Sequence, residues 1–230
     1  MAIFTPGPLA GQISGRVGAS VFSHNRGGTY IRNGTIPITS TTPSALAAKA
    51  RLAAASQAWG SLTDGERLAW KLYAMENPTT NRLGRQIFLT GHQMFVKLNT
   101  RILLATDTVL TAPSLLAPPD PLLTFSITGD IGAGTIICTF TATPVGADDR
   151  LWIYGTVQSS SSIEHVKNLT RHVVATAKNQ ATGYDYQAAL EAVFGTLIVG
   201  QQVTLFASVF SSLSGRLSAP LRATVAVSTT

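Results

Sequence analysis

A single cysteine among 230 residues excludes an internal disulfide framework and a thiolate metal cluster. Cys138 lies inside the apolar run TIICTF, where a lone thiol reads as a small buried hydrophobe. Charge is scarce as well. Asp, Glu, Lys and Arg make up 12% of the chain, about half the share usual for a soluble domain. A surface that poor in charge must be built from Ser, Thr, Gly and Ala or be covered by other protein, which points to assembly. Long apolar runs are missing too: none approaches the ~20 residues that span a bilayer. The opening MAIFTPGPLAG has neither the basic n-region nor the continuous apolar stretch of a secretion signal. The expectation is a soluble, unsecreted protein that enters no membrane.

The parts of an enzyme are equally sparse. His24, His92, His165 and His172 are scattered, with no HExxH, no Cys/His cluster and no acidic pair at metal-ligand spacing. His165 and His172 read as ordinary surface histidines. GRVGAS and GDIGAG superficially resemble phosphate-binding loops, but neither sits in a strand–helix unit, and turn glycines account for both. Asp148-Asp149 reads as a turn that starts the strand RLWIYG rather than as catalytic carboxylates. NLT at 168–170 matches a glycosylation acceptor by chance. The expectation is a non-enzyme with no catalytic residue, metal or cofactor.

What is present is uneven. Residues 1–105 hold eleven Lys/Arg against three acids, a net +8, whereas residues 106–230 hold six against eight, a net −2. Such asymmetry points to an acidic partner for the first half, either nucleic acid or another protein. The stretch GQISGRVGASVFSHNRGGTYIRNG, residues 11–34, carries six glycines, three arginines and no acid. Its apolar residues come singly or in pairs, too few to offset the ordering of its own backbone. With the β-branched, Pro-interrupted tract that follows, residues 1–43 read as an extended arm containing at most one hairpin, completed by a neighbouring molecule.

Residues 44–110 read as a helical region. Thr42-Pro43 starts the alanine-rich SALAAKARLAAASQAW, which stops at Gly60. Thr63-Asp-Gly-Glu66 is a capping box that opens a second helix, with Leu68, Leu72 and Met75 on one face and Asn77-Pro78 at its end. Thr90-Gly-His-Gln93 is another box, opening a third helix with Phe95, Leu98 and Ile102 at helical spacing. Between these helices, TTNRLGRQIFLT suggests a tight turn and a short extended piece, and Arg82 and Arg85 extend the basic character of the arm. A proline-rich linker, 111–120, follows, with the domain boundary near Pro118-Pro119. In 121–230 six or seven short β-branched runs alternate with Gly, Pro, Ser and Asp. The fold class expected is α+β: an arm, about three helices, and an antiparallel β-sandwich of immunoglobulin or fibronectin III kind.

The ordered motifs GQISGRVGASVF, RGGTYIR, TPSAL, ARLAAASQAWGSLTDGERLAW, NRLGR and LTGHQMFVKLNTR resemble a group of little-characterised proteins encoded by tailed phages, prophages and related bacterial loci. The ending GQQVTLFASVFSSLSGRLSAP is similar to their fibronectin-type or other β-sandwich modules. Where many of those proteins read N-P-x-T before the first helix, this chain has ITSTTPS. The resemblance implies a structural virion protein, assembled in the host cytoplasm, with no catalytic residues carried over. A capsid decoration or cement protein is favoured over a tail or connector component. Its partners would be the major capsid protein or other virion subunits, and it would be a homo-oligomer within the particle. In that setting Arg16, Arg26 and Arg32 would fork onto acidic groups, and Val17, Val21, Phe22, Tyr30 and Ile31 would anchor the arm, with Arg82 and Arg85 beside them. Two alternatives stand behind this reading. Trp59, Trp70 and their neighbours have a spacing that resembles the helix joint of HMG-box proteins, which makes a DNA-associated architectural protein the less favoured competitor. A glycan-binding or adhesion module rests on fold analogy alone.

Overall fold

The computed structural model describes residues 2–5, 7, 12–34, 40–81, 83–130, 134–141, 145–160, 163, 166 and 168–228. The chain divides into two compact units. One is Met1–Leu103 with Val109–Pro113; the other is Leu104–Thr108 with Ser114–Thr230. Both carry antiparallel sheet and helix, so the chain is α+β.

The first unit begins with four short strands, β1 (Ala2–Phe4), β2 (Gly15–Val17), β3 (Ser20–Asn25) and β4 (Gly28–Asn33). They form one antiparallel sheet in the order β1-β4-β3-β2. This corrects the expectation of an extended arm with at most one hairpin. Two tight turns carry the meander. Val17 pairs with Ser20 across Gly18-Ala19, and Gly18 has φ +58°, the positive φ that a two-residue hairpin loop demands at its first position. Asn25 pairs with Gly28, and its side chain accepts from the Gly27 N–H at 2.8 Å. β1 then closes on β4 across 29 positions of sequence, Ala2 opposite Ile31.

Helices follow. Pro43 opens α1 (Pro43–Ala58), whose only buried residue is Ala55. A single 3₁₀ turn at Trp59–Ser61 leads into α2 (Asp64–Glu76). Its capping box is complete: Thr63 Oγ1 accepts from the Glu66 N–H at 3.3 Å, and the Thr63 N–H donates to Glu66 Oε2 at 2.8 Å. A two-stranded hairpin, β5 (Thr79–Thr80) with β6 (Gln86–Ile87), precedes α3 (Gly91–Leu104). The second box is present as well, with Thr90 N–H on Gln93 Oε1 at 2.9 Å and Gln93 N–H on Thr90 Oγ1 at 3.1 Å. Gly91 lets the two helices touch, because a Cβ there would lie 2.9 Å from the Lys71 backbone nitrogen.

The core of this unit is Leu62, Trp70, Tyr73, Ala74, Met94, Phe95 and Leu98. Trp70 and Trp59 both stand edge-on to Phe95, at 5.3 and 5.4 Å between ring centroids. Asn99 is fully buried yet satisfied. Its amide donates to the carbonyls of Phe95 and Leu110 and its carbonyl accepts from the Leu110 N–H at 2.8 Å, which fastens residues 109–111 to α3.

The second unit contains β7 (Thr124–Asp130), β8 (Thr135–Thr141), β9 (Asp149–Gln158), β10 (Arg171–Lys178), β11 (Tyr184–Asp185), α4 (Gln187–Phe194), β12 (Gln202–Ser211) and β13 (Leu221–Ala226). Two antiparallel sheets result, β10-β9-β12-β13 and β11-β8-β7. One apolar cluster draws on both, with Ile136, Cys138 and Phe140 from β8, Leu151 and Ile153 from β9, and Val203, Leu205, Ala207 and Val209 from β12. Gly155 makes room at its centre: a Cβ there would fall 2.6 Å from the Leu205 side chain. The outward face of β7 and β8 is mostly hydroxylic, with Ile137 among the hydroxyls; Thr124 is bonded to Thr141 and Ser126 to Thr139, each at 2.6 Å.

Asp107 ties its short segment to this unit. Arg150 grips both carboxylate oxygens, at 2.7 and 3.1 Å, and Ser212 Oγ donates to one of them at 2.7 Å. Burial alone would raise the Asp107 carboxyl, but the Arg150 fork, the Ser212 hydroxyl and the nearby positive charge hold it below its ordinary value. Asp149, the first residue of β9, goes the other way. Burial raises it, Ser211 opposes with a hydrogen bond, and the charges of Asp148 and Asp120 raise it further.

Candidate docking surface

The N-terminal sheet is thinly enclosed. None of its described side chains is buried: Gly15, Arg16 and Val17 are exposed, and β3 and β4 are half-buried at best. Strand alternation sorts the expected anchors onto two faces. In cross-strand register Arg16 lies opposite Val21, and Val21 opposite Arg32, so the two arginines flank one valine in a single row. Tyr30 and Ile3 follow one row along on the same face. Phe22, Ile31 and Val17 belong to the other face, and Val17 stands 70% exposed. The ten expected residues are thus not one patch.

The arginines have no acid to hold them among the described residues. Among the described residues the ion pairs are Arg67–Asp64, Arg150–Asp107 and Lys178–Asp148, none of them in this sheet. Arg16 donates Nε to the Gly18 carbonyl at 2.9 Å, and Arg26 reaches the Phe88 carbonyl at 3.4 Å. Arg85 is exposed and reaches Thr5 Oγ1 at 3.4 Å. Asn81, which sequence reasoning passed over, donates to the Gly27 carbonyl at 3.1 Å and joins the β3–β4 turn to the β5–β6 hairpin. Arg82 and His165 lie outside the described residues.

The helical part carries a second exposed surface. Leu68, Leu72 and Met75 share a face of α2, as their spacing requires, and it is the solvent face, at 55%, 53% and 65% exposure. The core takes Trp70, Tyr73 and Ala74 from the opposite side. At the C-terminal end of this outward stripe, Met75, Trp59, Phe88, Arg26, Lys71 and His92 line an apolar cleft of about 630 Å³. Trp70 is enclosed and donates its indole N–H to the Thr111 carbonyl at 2.8 Å, so it cannot serve as a wedge between bases.

Elsewhere the possible reactive groups are engaged or sealed. Cys138 is fully buried; burial, with the Asp185 charge adding, pushes its thiol well above the ordinary range. His172 is a half-buried member of an aromatic cluster, 4.8 Å from Trp152 and 5.6 Å from Tyr154 between ring centroids, rather than a surface histidine. Among the described residues no three His, Cys, Asp or Glu side chains gather as metal ligands. No described helix is long and apolar enough to cross a membrane.

Known proteins add little to this picture. No family model matches the chain, and no curated protein matches it. Among solved structures, a Fn3-like protein from Clostridium thermocellum is similar at 15% identity over 47% of this chain and 92% of its own, with a TM-score of 0.28, too low to carry an argument about the fold.

Proposed function

We propose that this chain is a structural protein of a phage virion, a capsid decoration or cement protein that grips neighbouring subunits through its N-terminal sheet. One observation supports the reading above others: a four-stranded sheet in which no described side chain is buried, and an arginine–valine–arginine row that meets no carboxylate among the described residues. A sheet of such short strands with no second layer is marginal alone, so a partner that covers it supplies the missing layer. The partner's surface carries carboxylates on either side of an apolar patch, because charged contacts there fix orientation. Arg16 and Arg32 sit two strands apart, roughly 10 Å at the backbone, which sets the spacing of those carboxylates.

We read the second unit as a fibronectin III-like sandwich displayed on the particle. Its strand order supports this, since three strands, β11-β8-β7, face four, β10-β9-β12-β13, around a shared core. The test is occupancy. Particles assembled with Arg16→Glu and Arg32→Glu together are expected to lose most of the bound chain while the purified variant keeps its melting temperature. Wild-type occupancy for that variant removes the proposal. Duplex DNA binding by the wild-type chain that falls steeply with salt, alongside normal particle occupancy, would instead favour the DNA-associated reading.

A further inference from the structure

A second cleft, of about 780 Å³, opens where the β3–β4 turn meets the β5–β6 hairpin and the first turn of α3. Ile3, Ile87 and Leu89 give it an apolar wall, and Asn25, Arg26, Asn81 and Gln93 a polar one. The polar wall is one-sided in its chemistry. Asn25 Oδ1 already accepts from the Gly27 N–H at 2.8 Å, Gln93 Oε1 from the Thr90 N–H at 2.9 Å, and Asn81 Oδ1 from the Leu83 and Arg85 N–H groups at 2.9 and 3.0 Å. With those oxygens occupied, the Asn25 and Gln93 amides have only N–H donors left to offer. Arg26 engages one nitrogen, at 3.4 Å to the Phe88 carbonyl, and keeps the rest of its guanidinium. No acid offsets it: residues 1–105 carry only Asp64, Glu66 and Glu76, and none of the three lines the cleft.

We propose that this cleft binds a carboxylate attached to an aliphatic group, with the carboxylate on Arg26, Asn25 and Gln93 and the aliphatic part against Ile3, Ile87 and Leu89. A wall of donors beside one guanidinium suits a planar anion that only accepts, since it takes a forked pair of bonds from the arginine and further bonds from the amides. The apolar wall then separates this ligand from a bare inorganic anion, which has nothing to bury there. The cleft is of small-ligand size, within ~300–1,000 Å³. Two sources share the chemistry: a free aliphatic acid, and the C-terminal carboxylate of a chain that ends in an aliphatic residue. The site does not rest on the virion reading, because neither Arg16 nor Arg32 lines it.

The test is titration calorimetry on the full chain with 4-methylpentanoate, the peptide acetyl-Gly-Ser-Leu with a free C-terminus, the same peptide amidated, and inorganic phosphate. The better of the two carboxylate probes is expected to bind at least about tenfold tighter than the amidated peptide and than phosphate. A tighter peptide assigns the site to a chain end; 4-methylpentanoate binding as tightly or more so assigns it to a free acid. Gln93→Glu is the sharpest variant. A glutamate there still accepts the Thr90 N–H, so the capping box and the melting temperature are expected to stand, while a donor becomes an anion and binding falls at least about tenfold. Arg26→Gln is expected to weaken binding by about tenfold as well. The assignment is overturned by no heat from either carboxylate probe up to about 5 mM, by amidated peptide or phosphate binding as tightly as the better carboxylate, or by a Gln93→Glu variant that binds unchanged.

Discussion

The sheet of residues 2–33 and the sheet β10-β9-β12-β13 have the same number of strands, and both pair antiparallel throughout. Their strands differ in length: three to six residues in the first, against ten in each of the two central strands of the second. Length decides how many inward rows a strand can offer. β9 and β12 bury Leu151, Ile153, Val203, Leu205 and Ala207 completely, against a second sheet. The first sheet offers Ile31 and Phe22 in its central strands, and neither is fully enclosed. Backbone pairing makes both into sheets, but only a second layer turns one into a core.

The sharpest probe of that contrast compares central-strand truncations. Leu205→Ala is expected to cost about 3–4 kcal/mol by urea unfolding, and Ile31→Ala in the free chain less than about 1 kcal/mol. Equal costs would erase the distinction between the two sheets. Next in size is the Asp107 clamp, which belongs wholly to the second unit. Asp107→Asn leaves the Arg150 guanidinium poorly matched and is expected to cost about 2–3 kcal/mol at neutral pH. Because the native carboxyl is held below its ordinary value, this contribution is full above about pH 4 and fades as pH falls through the native value. The Asn variant should therefore lose part of the acid limb of the stability profile. Asp149 acts with opposite sign, its raised carboxyl favouring the native state once protonated, so Asp149→Asn should steepen the acid limb slightly.

Smaller effects test the first unit on its helical side. Gly91→Ala forces a methyl against the Lys71 backbone, which cannot swing aside as a side chain could, and is expected to cost about 1–3 kcal/mol in a thermal melt. Thr63→Ala removes one side of a capping box for about 1 kcal/mol. A loss near zero for both would mean that the helical part is as loosely held as the N-terminal sheet.

Local chemistry was readable from the sequence and distant pairing was not. Both capping boxes are written within four residues, and both form. The long β-branched runs RLWIYGTV and QQVTLFASVF announce β9 and β12. The N-terminal sheet escaped because its three-residue strands carry too little alternation, and its closing pair, Ala2 with Ile31, is set by contacts far along the chain. Which side of α2 turns inward was not legible for another reason. Leu68, Leu72 and Met75 repeat at helical spacing as a core stripe does, and periodicity cannot tell which of two apolar sides faces inward. Of the ten residues expected to meet a partner, nine fall among the described residues and all nine are exposed or half-buried, but no sequence signal sorts them between two sheet faces. The Asp107–Arg150 clamp bridges 43 positions and left no trace in the local pattern.

The hydroxyl pairs on the outside of β7 and β8 bear on crowding. Thr124 with Thr141 and Ser126 with Thr139 satisfy one another without a formal charge. A wall of that kind neither repels an identical wall nor changes its character with acidity or ionic strength, so many copies can stand shoulder to shoulder without an electrostatic cost that grows with their number.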